Sequence, residues 1–206
     1  QLSRVPVNAG VAFKDGQVMA VNDVPGHIVS GQAIKSALQA AKYSFAEVTE
    51  IRMDAKLQEA SKRSAAFAEV RNQAELALSR PLIIYAADKS FTVGAAEKAS
   101  WLEFGEAANG GTTLAINNQK LQTSIDAWSK IAGRPAGQTN INIENGREVS
   151  RTVGEKGSKV DAASVAQPIA DYLLQGVGSG TITAAMTDLE PSVIYNNRYT
   201  PTEDGL

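Results

Sequence analysis

One order of secondary-structure elements occurs twice in this chain, and this repeat constrains the fold more than any other sequence feature. In the first copy, apolar residues alternate from Val5 to Phe13, which predicts a half-buried strand, and Asp15-Gly16 suits a tight hairpin turn. The remaining elements predicted for this copy are a return strand over 17–22, a helix over 32–42 capped by Ser30, and a strand over 45–53.

The second copy has the same order between Gly137 and Met186, with its turn at Asn145-Gly146 and its helix capped by Asp161. Gly16 and Gly146 lie 130 residues apart, and matching apolar positions keep nearly the same separation. Two such units in register indicate a true repeat rather than a coincidence. The sequence therefore predicts an α+β fold of small mixed sheets with packed helices and an internal repeat of hairpin–helix–strand units.

A different block of elements lies between the copies. It is predicted to begin with an Ala-rich helix over 57–78, whose stripe of Phe67, Val70, Ala74 and Leu78 would face the core. Trp101 and Trp128 occur at helical spacing among apolar neighbours, so both are predicted to pack in the core. The other predicted elements are a hairpin over 82–93, a helix over 95–104, a strand over 113–116 and a helix over 119–132.

This organisation predicts three parts. Residues 61–193 would form a complete module, residues 1–60 the C-terminal half of a preceding module, and residues 194–206 a linker. We expect the half module to bury its apolar face on the complete module or to pair with another chain. The start at Gln1 and the polar tail predict a segment of a longer polypeptide.

Composition argues against several functional classes. Lys and Arg total 20 against 22 for Asp and Glu, without the basic clusters that nucleic acids require. The chain has no cysteine, so it offers no thiol nucleophile, and its single histidine, His27, cannot form a two-histidine metal motif. No serine lies in a known nucleophile motif. We therefore predict no catalytic residue, no cofactor and no metal ligand in this segment.

Several short stretches resemble a peptidoglycan-binding module of bacterial envelope proteins. That module occurs, often in tandem, upstream of a YkuD-type L,D-transpeptidase catalytic domain or of a VanW-type domain. The resemblance covers nearly the whole chain. The stretches are Phe13-Lys14-Asp15-Gly16-Gln17-Val18, Gly26-His27-Ile28-Val29, Ala99-Ser100-Trp101-Leu102, Asn118-Gln119-Lys120-Leu121, Ile143-Glu144-Asn145-Gly146-Arg147-Glu148-Val149, Gly157-Ser158-Lys159-Val160-Asp161 and Pro191.

The resemblance implies an extracytoplasmic, cell-wall location, with the parent protein anchored in the membrane by an N-terminal helix outside this segment. It implies peptidoglycan and the C-terminal catalytic domain of the parent as partners. The motif of a YkuD-type active site resembles Ser-His-Gly-Cys, and it does not occur here. The parent would be an L,D-transpeptidase, whereas this segment would be non-catalytic.

The ligand-binding residues predicted from the sequence are Tyr195, Asn197 and Tyr199. They belong to a run rich in aromatic and amide side chains at the edge of the predicted module, and such side chains suit contact with sugars. A hinge contact with the catalytic domain is the alternative for the same run. Two alternatives for the whole segment also stay open: a purely structural spacer, or the same modules attached to a VanW-type protein.

Overall fold

The computed structural model describes residues 3–42, 55–108 and 110–199, and these form an α+β fold, as the sequence predicts. The predicted strand over 45–53 lies outside the described residues. The described helices are α1 (Gly31–Lys42), α2 (Ala68–Ser79), α3 (Ala95–Trp101), α4 (Asn118–Ala132) and α5 (Ala162–Ala170), with a 3₁₀ turn at Ser64–Phe67 and a π turn at Asp171–Gln175.

The strands of the described residues form six small sheets. They are β1 (Gly10–Lys14) with β2 (Gln17–Val21); β3 (Gly26–Ile28) with β4 (Lys56–Gln58); β5 (Ile83–Ala86) between β6 (Lys89–Thr92) and β12 (Thr181–Ala184); β7 (Leu102–Glu106) with β8 (Thr112–Ile116); β9 (Gln138–Glu144) between β10 (Arg147–Thr152) and β14 (Ser192–Arg198); and β11 (Gly157–Val160) with β13 (Met186–Leu189).

Contacts divide the chain into two compact units. Unit 1 comprises Gln1–Glu75 and Glu103–Ala115, and unit 2 comprises Leu76–Leu102 and Ile116–Leu206. The first copy of the predicted repeat lies in unit 1 and the second copy lies in unit 2. The predicted domain boundaries stay a prediction, and residues 194–198 of the predicted linker belong to β14.

Both hairpin turns predicted from the sequence are confirmed. Asp15 and Gly16 have φ angles of 51° and 75°, and Asn145 and Gly146 have φ angles of 47° and 78°. Two consecutive positive φ angles define the type I′ turn, whose twist matches that of the flanking strands, and Asp-Gly and Asn-Gly are the dipeptides that adopt it most readily. Local sequence is therefore sufficient to define both hairpins.

The helix caps predicted at Ser30 and Asp161 are also confirmed. Ser30 Oγ accepts a hydrogen bond from the Ala33 amide at 3.0 Å, and Asp161 Oδ1 accepts one from the Ala163 amide at 3.2 Å. These contacts satisfy amides that the first turn of a helix leaves without partners. Pro168 lies inside α5, and the helix continues past it to Ala170 before the π turn begins.

Backbone pairings within the two copies correspond at a separation of 130 or 131 residues. In each copy a residue that precedes the hairpin hydrogen-bonds to one that follows it, and the short strand before the helix pairs with a later strand. The internal repeat itself stays a prediction. The corresponding pairs are Val7 with Val24 and Gly137 with Glu155, then Gly26 with Gln58 and Gly157 with Leu189.

Gly26 and Gly157 hold the same place in the two copies, and the same crowding explains both. A Cβ atom on Gly26 would lie 2.3 Å from the Arg4 carbonyl oxygen, and one on Gly157 would lie 2.4 Å from the Ala136 nitrogen. Each glycine therefore permits a close approach of two backbones. Each is also the first residue of a strand, β3 or β11.

The tryptophans lie in the core of unit 2, as predicted. Trp101 is fully buried and Trp128 nearly so, and their rings pack edge to face with centroids 5.8 Å apart. The indole nitrogen of Trp101 donates to Ser124 Oγ at 2.9 Å, so its polar atom is satisfied despite burial. Phe91 of β6 stacks on the ring of Trp128, with centroids 5.8 Å apart.

Two predicted helices are too long. The segment 57–78 is α-helical only from Ala68, after the 3₁₀ turn at Ser64–Phe67. Its first residues instead belong to the strand Lys56–Gln58, which pairs with Gly26–Ile28. The predicted helix over 95–104 ends at Trp101, and Leu102–Glu106 forms β7 beside β8. In both places pairing with another strand overrides a local helical pattern. The stripe predicted on the first helix, from Phe67 to Leu78, is buried.

Two cationic side chains of unit 2 cap the C-terminal ends of helices. Lys98 is 3% exposed, and its ammonium group donates to the carbonyl oxygens of Leu78 and Arg80 at the end of α2. Arg80 donates in turn to the carbonyls of Tyr172 and Leu173, at 2.8 and 2.9 Å. Each cation therefore meets the negative end of a helix dipole and satisfies terminal carbonyls. Burial lowers the pKa of Lys98.

Candidate functional site

The outer face of the sheet β10–β9–β14 carries a group of polar side chains that hydrogen-bond to one another across three strands. Along the central strand β9, Ile141 points into the protein and is buried, whereas Asn140 and Asn142 point to the other side. The pairing register places Ser150 of β10 and Asn196 of β14 beside Asn142. We call this side of the sheet the amide face.

Hydrogen bonds join three side chains of the amide face into a row. Asn196 Nδ2 donates to Asn142 Oδ1 at 3.0 Å, and Asn142 Nδ2 donates to Ser150 Oγ at 2.7 Å. The row crosses three adjacent strands, so it extends over roughly 10 Å. The mutual bonds hold the side chains in place while each amide keeps further donor and acceptor positions.

A shallow groove of about 350 Å³ runs along this row. Its one acidic residue, Glu144, is matched by one basic residue, Arg198, so the groove has no net charge of its own. A groove of amide, hydroxyl and balanced charged groups suits a neutral, hydroxyl-rich ligand. The lining residues are Asn142, Ile143, Glu144, Val149, Ser150, Asn196, Asn197 and Arg198.

An ion pair lies on the opposite side of β10. Arg151 donates to Glu148 through Nε and Nη2, both at 2.9 Å, which is the two-pronged geometry of arginine with a carboxylate. The hydrogen bond from Arg151 holds the pKa of Glu148 below its ordinary value. Because this carboxylate stays ionised and paired, it is a poor candidate for a general acid.

The structure places Tyr195 and Asn197 at alternate positions of β14, where they pair with Ile141 and Ile143. Their side chains therefore share the side of the sheet opposite to the amide face, although Asn197 also borders the groove. Tyr199 follows the end of the strand and is 76% exposed. The assignment of these three residues to a ligand stays a prediction, and the structure does not bring the tyrosines to the groove.

Sequence reasoning missed Asn142 and Ser150, and it did not distinguish Asn196 from its neighbours. A signal was present in the alternation Asn140-Ile141-Asn142, which puts amides on one side of a strand whose other side is apolar. The partners on β10 and β14 could not be found in this way, because their register with β9 depends on tertiary pairing.

The remaining candidate, His27, lies in β3, where its backbone pairs with Arg4 and Leu57. No group of three or more metal-binding side chains occurs within residues 3–42, 55–108 and 110–199. The structure thus supplies no observation that gives His27 a chemical role.

None of the helices in these ranges is both long and apolar enough to cross a lipid bilayer.

Comparison with known proteins finds structural neighbours only. No protein-family model matches the chain, and no curated protein matches it. A cysteine-to-serine mutant of Enterococcus faecium L,D-transpeptidase matches 58% of this chain and 46% of its own, with 11% identity and a TM-score of 0.41. The Ldtfm–avibactam carbamoyl enzyme matches 58% of this chain and 45% of its own, with 12% identity and a TM-score of 0.41.

The match thus spans less than half the length of either solved chain. At this identity the likeness concerns part of the fold, and it assigns no residue of this chain a role.

Proposed function

We propose that this chain is a non-catalytic region that binds peptidoglycan and positions the catalytic domain of a cell-wall L,D-transpeptidase outside the cytoplasm. The observation that carries the binding proposal is the row of Asn196, Asn142 and Ser150 along the groove of the amide face. The sequence motifs that resemble the peptidoglycan-binding module support the assignment to a cell-wall protein.

The chemistry of the row suits a glycan strand. Sugar hydroxyl and acetamido groups both donate and accept hydrogen bonds, as amide side chains do. Asn142 uses one hydrogen and one oxygen position in the row, which leaves its second hydrogen and a further lone pair for a ligand. The groove is open rather than enclosed, and this shape admits a long polymer more readily than a small molecule.

Such a site would bind each sugar unit weakly. Exposed hydrogen bonds exchange with water and contribute only about 0.5–1.5 kcal/mol each. Useful retention in the wall would therefore come from many contacts along one polymer, since linked sites raise the effective concentration of the next contact. Weak, repeated binding fits a region whose task is to position a neighbouring catalytic domain.

Retention on purified sacculi tests the proposal. The wild type should bind saturably, and N142A/N196A should bind about tenfold more weakly, as expected for the loss of about 1.4 kcal/mol from two hydrogen-bonding side chains. Q122A is the matched control, because Gln122 is an exposed amide on α4 that bonds only to Asp126 within the described side chains. Thermal melting of each variant should match the wild type.

Two results would contradict parts of the proposal. Binding of the wild type no greater than that of an unrelated acidic protein would favour the structural spacer. Equal binding by the wild type and N142A/N196A would remove the amide face from the site. The assignment to a transpeptidase is tested separately by the full-length gene product, where a Ser-His-Gly-Cys motif supports it and a VanW-type domain opposes it.

A further inference from the structure

The outer edge of β14 is an open sheet edge. β14 pairs with β9 through one edge along all seven residues from Ser192 to Arg198, without a bulge, and no strand in the described residues pairs with its other edge. All seven residues are exposed. Open edges of natural sheets are commonly protected by proline, lysine or a bulge, and β14 contains none of these.

The backbone groups at this edge follow from the pairing with β9. The Ser192 amide donates to the Gly137 carbonyl, and the Arg198 carbonyl accepts from the Asn145 amide, so the even-numbered residues of β14 bond towards β9. In a strand, alternate residues direct their N–H and C=O groups to opposite edges. Val193, Tyr195 and Asn197 therefore direct three amides and three carbonyls away from the sheet.

We propose that this edge pairs with the same edge of a second copy of the chain, antiparallel and centred on Tyr195. A two-fold axis through the centre would pair Tyr195 with Tyr195 of the second copy and Val193 with its Asn197, and it would use all six outward backbone groups of each strand. Such an interface is self-complementary, because each copy presents the same backbone groups and side chains to the other. An unrelated extended peptide would not present side chains that match those of β14.

The charged groups at both ends of β14 have partners within their own chain. Glu190, just before the strand, accepts a hydrogen bond from Lys156 at 2.5 Å, and Arg198, its last residue, lies beside Glu144 of β9. Repulsion between like charges therefore does not oppose the antiparallel pairing of two copies.

The pairing has a consequence for the amide face. The two-fold axis is perpendicular to the sheet, so both copies of the amide face would lie on the same side of one six-stranded sheet. A glycan would then meet two grooves at once, which raises retention through linked sites. The dimer itself rests on the backbone geometry alone and does not require the proposed function.

A single cysteine tests the register. The chain contains no cysteine, so the disulfide of a Y195C variant forms only between two copies. Hydrogen-bonded antiparallel partners have Cα atoms about 5.5 Å apart, inside the range of about 4.4–6.8 Å that a disulfide spans. V193C is the matched control, because two copies of Val193 would lie about 14 Å apart. Mixing V193C with N197C should restore the cross-link.

Sedimentation provides the second measurement. The wild-type sedimentation coefficient should rise with concentration up to the millimolar range, because an interface of this size is weak. Y195P removes the outward amide at the centre and keeps the pairing with β9, so it should stay monomeric with an unchanged far-ultraviolet spectrum. A monomeric wild type throughout this range, or V193C cross-linking with itself as fast as Y195C, would overturn the proposal, whatever the sacculus assay shows.

Discussion

Replacing Lys98 by methionine tests whether the buried ammonium group stabilises unit 2 by capping α2. Methionine keeps an apolar stem of similar length but removes the donor to the carbonyl oxygens of Leu78 and Arg80. Lys98 is 3% exposed, so water does not readily replace the lost donor. The variant therefore leaves two helix-terminal carbonyls without their cationic partner.

The magnitude follows from two opposing effects. Two charge-assisted hydrogen bonds contribute roughly 3–6 kcal/mol together, and the desolvation of a buried ammonium group offsets part of this. We expect K98M to lower the free energy of unfolding by about 2–3 kcal/mol. For a protein of this size the melting temperature should fall by roughly 4–12 °C. K120M makes the same substitution at an exposed lysine of α4 and should leave both values nearly unchanged.

A pH series provides a second, independent signature of Lys98. Burial puts its pKa in the folded protein below its ordinary value of 10.5. Between those two pKa values the unfolded chain binds more protons, so the contribution of Lys98 to stability rises with pH in that alkaline window. The difference between the wild type and K98M, measured by urea denaturation, should therefore grow as the pH rises through the lowered pKa towards 10.5. Equal unfolding free energies of K98M and the wild type at every pH would refute the capping role.

Two further predictions concern a crowded glycine and the hydrogen-bonded contact between Asp23 and Ser64. G157A should cost about 1–3 kcal/mol of stability, because the added Cβ would meet the Ala136 nitrogen at 2.4 Å, whereas G10A adds its Cβ in open space and should change little in the same denaturation assay. The hydrogen bonds from Ser64 lower the pKa of Asp23 below 3.8, so its contribution is present above that pH and is lost as the pH falls through the lowered pKa. D23N should flatten this acid-side loss, and an unchanged acid denaturation profile would contradict it.

The elements that sequence predicted best are those decided by neighbouring residues. The turns at Asp15-Gly16 and Asn145-Gly146 follow from dipeptides that tolerate positive φ, and the caps at Ser30 and Asp161 follow from side chains that bond two or three residues ahead. Helical spacing was also enough to predict that Trp101 packs in the core. In each case the cause lies within one or two turns of chain.

The elements that sequence missed depend on partners far along the chain. Lys56–Gln58 begins a segment with a helical pattern and forms a strand because it pairs with Gly26–Ile28, which lies before α1. Lys98 caps a helix that ended 19 residues earlier, at Ser79, and nothing in its immediate sequence distinguishes it from a surface lysine. Burial and pairing of this kind become visible only when distant elements meet.

The amide face shows the same division within one site. The amino-acid sequence by itself determined that β9 alternates amide and apolar side chains, because successive residues of a strand point to opposite sides. Only the tertiary structure decided that Asn196, 54 residues away, donates to Asn142, and that Ser150 completes the row. The physical reason is the register of β10 and β14 on β9, since a shift of one residue would turn these side chains to the other side of the sheet.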